Sequence, residues 1–444
     1  MDIGRINDFS LVDAAALAHA AEAFGTPVYF YDESLILRKC ADCLNMPNAY
    51  GLTVRYAMKA NSNKALLRLI CGAGLHLDAS SLNEVLRAHH AGIPYDRIML
   101  TTQEVYGGES LEKLRTLLLQ GLRYNVCSLL QLRNIAGFAA ANGIDPGIRV
   151  HPGIGSGESA TRNTGDDYAC FGVHLNDVEE AVRYAGDAGL KFRHIHEHIG
   201  SGGDSEVWRQ NIDLELRIIE EHFPDAESVC FGGGLKEARM PDEHPADVAL
   251  LGNYAKMRIE GFYGRTGRKL QMEIEPGTYI MANSGYAVTR VIDKKNTSRS
   301  NFVIIDGGME INSRPLLYGS RHPIYIVASD GSHVKSSEFD AINSDGASNG
   351  GGSGYNAVVA GICCESGDCQ TLAPEGHSVQ RNMAEPEIGD IVIIGGTGAY
   401  CSSMAPFNYN SHTQIPEVLF TSEGRLELIR KRQTLEQILE NERV

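Results

Sequence analysis

One alternation runs through the first two thirds of the chain. Short runs with apolar residues at every second position, or at every position, give way to longer runs with apolar residues three and four apart. The short runs are VRYAMKA (54–60), LHLDAS (75–80), RIMLTT (97–102), LRYNVCS (122–128), GIRVHP (147–152), FRHIHEHI (192–199), SVCFGG (228–233) and LQMEIEP (270–276). Their spacing predicts strands. Between them, NKALLRLICGAG, SLNEVLRAHHAG, ESLEKLRTLLLQG, LLQLRNIAGFAAANG, DVEEAVRYAGDAG, EVWRQNIDLELRIIEEHF and a last segment over 245–264 carry the spacing of helices. Ser81 followed by Glu84 reads as a capping box, and several helical runs reach a Gly just after their last apolar position. Strands alternating with helices are parallel, and eight such units predict an α/β fold, a closed (β/α)8 barrel. An open doubly wound sheet would more often carry a Gly-rich fingerprint after its first strand, where this chain has Lys59.

After residue 281 the pattern changes. VTRVIDKK, FVIIDGG, IYIVAS, YNAVVAGI, DIVIIGG and PEVLFTSEGRLELIRKRQ are strands separated by turns, with little helix before the end. The expected organisation is a barrel over 35–280, with an all-β domain built from 1–34 and 281–444. NSDGASNGGGSGY (343–355) reads as a flexible loop without chemistry of its own.

Composition narrows the function. The net charge is −16 and no basic run offsets it, which argues against non-specific nucleic-acid or anionic-membrane binding. No apolar run approaches the roughly 18 residues that span a bilayer. The N-terminal apolar residues are interrupted by Asp13, His19 and Glu22, the mark of an amphipathic helix rather than an export signal. The cytoplasm is the expected compartment, where ten cysteines are reduced thiols rather than a disulfide framework. Cys40-x-x-Cys43 lies in a helical pattern without a second pair nearby, so it reads as two small packed residues and not as a zinc site.

Chemistry in a (β/α)8 barrel gathers at the C-terminal ends of the strands. There the sequence places Lys59, Asp78, His196 and His198, Gly232 to Gly234, and Glu275 ahead of Pro276-Gly277. Each has an ordinary reading: a solvated charge, a core histidine, a turn. Together they have a common one. A lysine amine holds an aldehyde as a Schiff base. Glycines let backbone N–H groups approach a phosphate. A carboxylate opposite a pyridine nitrogen keeps it protonated, and an imidazole can lie flat on the ring. These are the requirements of pyridoxal 5'-phosphate. The competing reading is a metal centre on His196 and His198, completed by Asp78 or Glu275.

The motifs YAMKANSN (56–63), HEHIGSG (196–202), FGGGL (231–235), EPGTYI (275–280), RPLLYG (314–319), CESGD (364–368) and GAYCSSMAPFNYNS (398–411) follow one another in an order that resembles the diaminopimelate decarboxylases. These are fold-type III pyridoxal-phosphate enzymes, a barrel plus a β domain, and the resemblance runs over nearly the whole chain. It implies that Lys59 binds the cofactor aldehyde, His198 stacks on its ring and Glu275 pairs with the pyridine nitrogen. Asp78 is expected in the same cofactor-binding set. Ser201, Gly233, Gly234, Gly277 and Tyr400 would surround the phosphate. Arg314, Tyr318 and Glu365, with Tyr400, would hold the far end of a small amino-acid substrate. Cys364 would protonate the substrate carbon, and Cys364 and Glu365 would come from the second subunit of a homodimer. No metal is expected. The implied reaction converts meso-2,6-diaminopimelate to L-lysine and carbon dioxide.

One position departs from the pattern. The family has EPGR where this chain has Glu275-Pro276-Gly277-Thr278, and a hydroxyl does not replace a bidentate guanidinium. Either another cation such as Arg162 or Arg321 takes the role, or the substrate is another diamino acid such as ornithine or lysine. The loop HPGIGSGESATRNTG (151–165) still resembles the family's lid. An alanine racemase would not need CESGD, and a non-catalytic cofactor carrier would not need the second domain.

Overall fold

The computed structural model describes residues 13–157, 163–201, 204–337 and 354–443. Arg162, Gly202 and most of the 343–355 loop lie outside them. The chain divides into two compact units, one of 37–237 and 245–280, the other of 1–36, 238–244 and 281–444.

In the first unit the eight expected strands are present: Leu52–Ala57, His76–Ala79, Ile98–Thr101, Arg123–Val126, Gly147–His151, His194–His196, Ser228–Cys230 and Gln271–Ile274. They pair in parallel in sequence order, and the eighth returns to the first through Met272 opposite Leu52 and Ile274 opposite Val54. The sheet therefore closes. A short extra strand, Val173–His174, hangs on the fifth. The loops enter the outer helices through side-chain caps. Asn63 accepts from Ala65, Ser81 from Glu84, Ser128 from Gln131, Asp204 from Glu206 and Asp247 from Leu250. Each cap satisfies an amide that the helix leaves open, worth about 1 kcal/mol. The Ser81 box is offset by one residue, because the Glu84 carboxylate accepts the N–H of Ser80.

Two strands are shorter than their sequence pattern. The first ends at Ala57, and Lys59 lies in a 3-10 turn, Met58–Ala60. The sixth ends at His196, so His198 lies beyond it. In both cases the residue lies in the segment that follows the last strand residue.

The interior of the barrel is polar at its floor. Arg55 of the first strand grips Glu273 of the eighth at 2.5 and 3.3 Å, fully buried. Arg123 of the fourth strand and His194 of the sixth reach the same carboxylate at 3.8 and 3.9 Å. Arg55 and Glu273 tie the neighbouring strands at the closure, whereas Arg123 and His194 come from strands that do not neighbour the eighth.

The second unit is built on a sheet ordered Val334–Ser337, Ile324–Val327, Ile391–Ile394, Gly285–Asn296, Val28–Asp32, Glu417–Phe420 and Leu426–Arg430. The long strand Gly285–Asn296 bends at a bulge between Val291 and Asp293, and past it pairs with Asn301–Ile305, which continues to Tyr355–Ala360 and Arg381–Met383. The helix Ala14–Phe24 covers the sheet with Leu17, Ala20 and Ala21 against Val28, Phe30 and Val288. Among the described residues no helix is long and apolar enough to cross a membrane.

Candidate active site

At the open end of the barrel, alternation along the eighth strand returns a second carboxylate to the interior two residues after Glu273. Glu275 is buried, and its Oε2 meets His196 Nε2 at 2.8 Å. Its Oε1 is buried, with no hydrogen-bond partner among the described residues. Burial alone would raise its pKa, but the His196 imidazole, His198 and the Lys59 ammonium outweigh burial and hold the carboxyl well below the usual range. The result is a permanently charged acceptor with one oxygen unspent.

Asp78, in register with Ala57, is buried beside it. The Thr101 hydroxyl, which accepts from Asn125 at 2.9 Å, is near enough to act on Asp78, and the Asp78 Oδ1 has no hydrogen-bond partner among the described residues. Burial and the nearby Glu275 raise its pKa, against Lys59 and Thr101, which lower it. Lys59 is exposed, and its charge acts on Asp78, Glu84, His198 and Glu275 together.

His198 is half-buried, and its Nδ1 accepts the Gly233 N–H at 3.1 Å. Burial, then the charges of Lys59 and Arg149, push its pKa down, so the ring is neutral. Its backbone is fixed by Thr164, whose hydroxyl donates to the His198 carbonyl at 3.0 Å, while Ser156 and Thr164 donate to the Ile199 carbonyl. Ser201 follows, half-buried.

The glycine run is a requirement of packing. A Cβ on Gly232 would lie 2.4 Å from the Glu197 carbonyl, and one on Gly233 would lie 2.6 Å from the Glu275 carbonyl. Gly232 and Gly234 also hold φ of 66° and 88°, where side chains are disfavoured. Trp208 donates from its indole to the Gly233 carbonyl at 3.2 Å. The Gly233 amide is thus committed to His198, whereas of the glycines assigned to a phosphate cradle by sequence, the N–H groups of Gly234 and Gly277 find no acceptor among the described residues. Gly277 is buried and precedes the short helix Thr278–Met281, whose first residue, Thr278, is buried as well.

The histidine pair proposed for a metal does not act as a pair: His196 is bonded to Glu275, His198 to Gly233. The group at the mouth that could converge on an ion is His196, Cys230 and Glu275. Sequence reasoning missed Arg149, on the fifth strand. It is buried, stacks at 5.1 Å over Phe171, and its Nε and Nη2 have no hydrogen-bond partner among the described residues. Its place in GIRVHP, two residues from the strand end, was the available signal.

The second unit holds the remaining expected residues. Arg314 opens the helix Arg314–Tyr318, buried, with its guanidinium 5.6 Å from the Tyr318 ring and 3.3 Å from Ser320 Oγ. Tyr400 adopts a left-handed φ of 58°. Cys364 and Glu365 are exposed on the loop after Tyr355–Ala360. Asp368 anchors that loop from below, accepting the N–H groups of Met309 at 2.5 Å and Cys363 at 2.7 Å. The Cys363 thiol donates to Glu310 at 3.2 Å. Glu310, Cys363 and Asp368 could also converge on an ion, but backbone amides already occupy both carboxylates. Arg321 is paired on the surface with both oxygens of Asp242 at 2.8 Å.

Known proteins agree with this chemistry. The family described as pyridoxal-dependent decarboxylase, pyridoxal binding domain, matches residues 34–282. Diaminopimelate decarboxylase of Escherichia coli (strain K12) is 33% identical over 425 residues, covering 94% of this chain and 93% of the relative. A crystal structure of diaminopimelate decarboxylase superimposes with a TM-score of 0.84 at 32% identity, covering 98% of each chain. That of the Helicobacter pylori enzyme complexed with L-lysine gives a TM-score of 0.74 at 27% identity, covering 95% of this chain and 98% of that one. With the cofactor-domain match spanning more than half its length and full-length relatives above 30% identity, the chain belongs to the diaminopimelate decarboxylase family of pyridoxal-dependent decarboxylases.

Proposed function

We propose that this chain decarboxylates meso-2,6-diaminopimelate to L-lysine, with Lys59 as the residue that holds the cofactor. The observation that carries the reading is the unspent Oε1 of Glu275: a buried, charged acceptor beside a lysine and a neutral imidazole, which fits the protonated ring nitrogen of pyridoxal phosphate. When bound, that group supplies an aldehyde for the substrate amine and a ring that accepts the electron pair left by carbon dioxide. Lys59 would hold the cofactor aldehyde. Glu275 would face the ring nitrogen and favour its protonated form, and His196 holds Glu275. His198 would lie against the ring; Asp78, Ser201, Gly233, Gly234, Gly277 and Tyr400 would complete the cofactor's surroundings, Gly233 through its hold on His198.

Cys364 donates the proton that replaces the lost carboxylate, forming the new C–H bond. Arg314, Tyr318, Tyr400 and Glu365 recognise the distal end of the substrate, itself an amino acid that needs both a cation and an anion. Cys364 and Glu365 serve the site of the partner subunit, so the active unit is a homodimer. Thr278 is the feature that favours a second reading, a decarboxylase of lysine or ornithine, because it lacks the charge expected there.

Carbon dioxide release from meso-diaminopimelate, lysine and ornithine, compared at equal concentration, tests the choice. The proposal expects diaminopimelate to be turned over with a kcat/KM at least about a hundredfold above the others; a preference for ornithine or lysine contradicts it.

A further inference from the structure

The segment Asn408-Tyr409-Asn410-Ser411 has an unusual backbone. Asn408, Asn410 and Ser411 hold φ of 72°, 47° and 57°, three left-handed non-glycine residues within four positions. Such a run costs energy and persists where the surroundings require it. Here two side chains from the turn reach one loop. Asn410 Oδ1 accepts the N–H of Cys364 at 2.8 Å. Tyr409 donates its hydroxyl to Glu365 Oε2 at 3.3 Å, while the other oxygen of Glu365 accepts from Ser366 Oγ at 3.2 Å. From below, Asp368 fixes the preceding amide, that of Cys363. The successive amides of Cys363 and Cys364 are therefore both held by side chains, Asp368 on the first and Asn410 on the second, which fixes the backbone that carries the Cys364 side chain.

We infer that Asn410 is a positioning residue: it sets the direction from which the Cys364 thiol delivers its proton, and Tyr409 does the same for the Glu365 carboxylate. The inference rests on the proposed role of Cys364 as proton donor. Carbon dioxide leaves with its bond broken and its electron pair remaining on the carbon; the thiol proton forms the C–H bond there, and the thiolate is reprotonated by solvent. A fixed thiol protonates one face. A thiol on a loop released from Asn410 shares that work with water, and the product carbon loses its stereochemical purity.

The test uses the full-length holoenzyme turning over in deuterium oxide, with the configuration of the mono-deuterated carbon read by NMR after chiral derivatisation. Asn410→Gly keeps the left-handed backbone without strain but removes the acceptor; Asn410→Asp keeps an acceptor oxygen. The glycine variant is expected to lose about tenfold in kcat with KM within a factor of about two, unchanged cofactor absorbance, and mixed configuration at the labelled carbon. The aspartate variant should recover most of the rate and a single configuration. A glycine variant with wild-type rate and configuration overturns the inference, as does an aspartate variant as impaired as the glycine one. Cys364→Ala separates the two levels. If it is fully active, the reading of Cys364 fails and the positioning role with it; if it is impaired while Asn410→Gly is not, only the positioning role fails.

Discussion

Glu273 and Glu275 stand two residues apart, the first within the eighth strand and the second just past its last residue, both buried inside the same barrel, and they have opposite surroundings. At the floor, Glu273 is saturated: Arg55 bonds it twice, and Arg123 and His194 add two further partners. At the mouth, Glu275 has His196 on one oxygen and, among the described residues, no hydrogen-bond partner on the other. The same strands supply both levels, the first giving Arg55 and then Lys59, the sixth giving His194 and then His196. A buried carboxylate whose acceptors are all taken is a structural element; one held in its charged form with an acceptor left open is built to receive a donor from outside the chain.

The largest expected effect lies on the first strand. Lys59→Ala should lower decarboxylation at least a thousandfold and remove the visible absorbance of the bound cofactor, while melting at a temperature close to that of the apo wild type. An active, coloured variant would break the contrast between the two levels. The paired glutamates come next. Glu273→Gln should destabilise the fold by about 3–5 kcal/mol, because it leaves the buried Arg55 guanidinium without its counter-charge, with little change in kcat per folded molecule. Glu275→Gln should do the reverse, lowering kcat about a hundredfold with a smaller change in urea midpoint. Similar kinetic losses in both variants would remove the distinction drawn here.

The smallest effect is a pH dependence at the floor. Burial, then the Arg55 charge, lower the His194 pKa from 6.5 to about 4, although Glu273 acts to raise it. Between those values the unfolded chain takes up a proton that the folded chain refuses. Stability from this group is therefore complete above pH 6.5 and lost as pH falls toward 4, by about 2 kcal/mol between pH 7 and pH 5. His194→Asn should flatten that part of the urea-stability profile; an unchanged slope would show that another group carries it.

The sequence exposed the barrel level of the site because each of its residues sits where period-two spacing runs out at a strand end. Lys59, Asp78, His198 and Glu275 are found by that rule, even though Glu275 lies one residue, and Lys59 and His198 two residues, past the end of the strand. Closure of the barrel was legible for the same reason. The rule failed for Arg149, which lies within its strand rather than at the end. It also gave no account of Gly233, whose amide goes to His198. In the second unit, Arg314, Tyr318, Cys364, Glu365 and Tyr400 come from loops and a five-residue helix without periodicity. Only motif resemblance pointed to them, and the role of Asn410 needed the fold itself, because its partner lies 46 residues away in sequence.

The most direct test of the account is to reduce the cofactor-loaded protein with borohydride, digest it and map the modified peptide. The account predicts a single pyridoxyl label on Lys59, within the segment that joins the first strand to its helix. A label on any other lysine, or none, would contradict it.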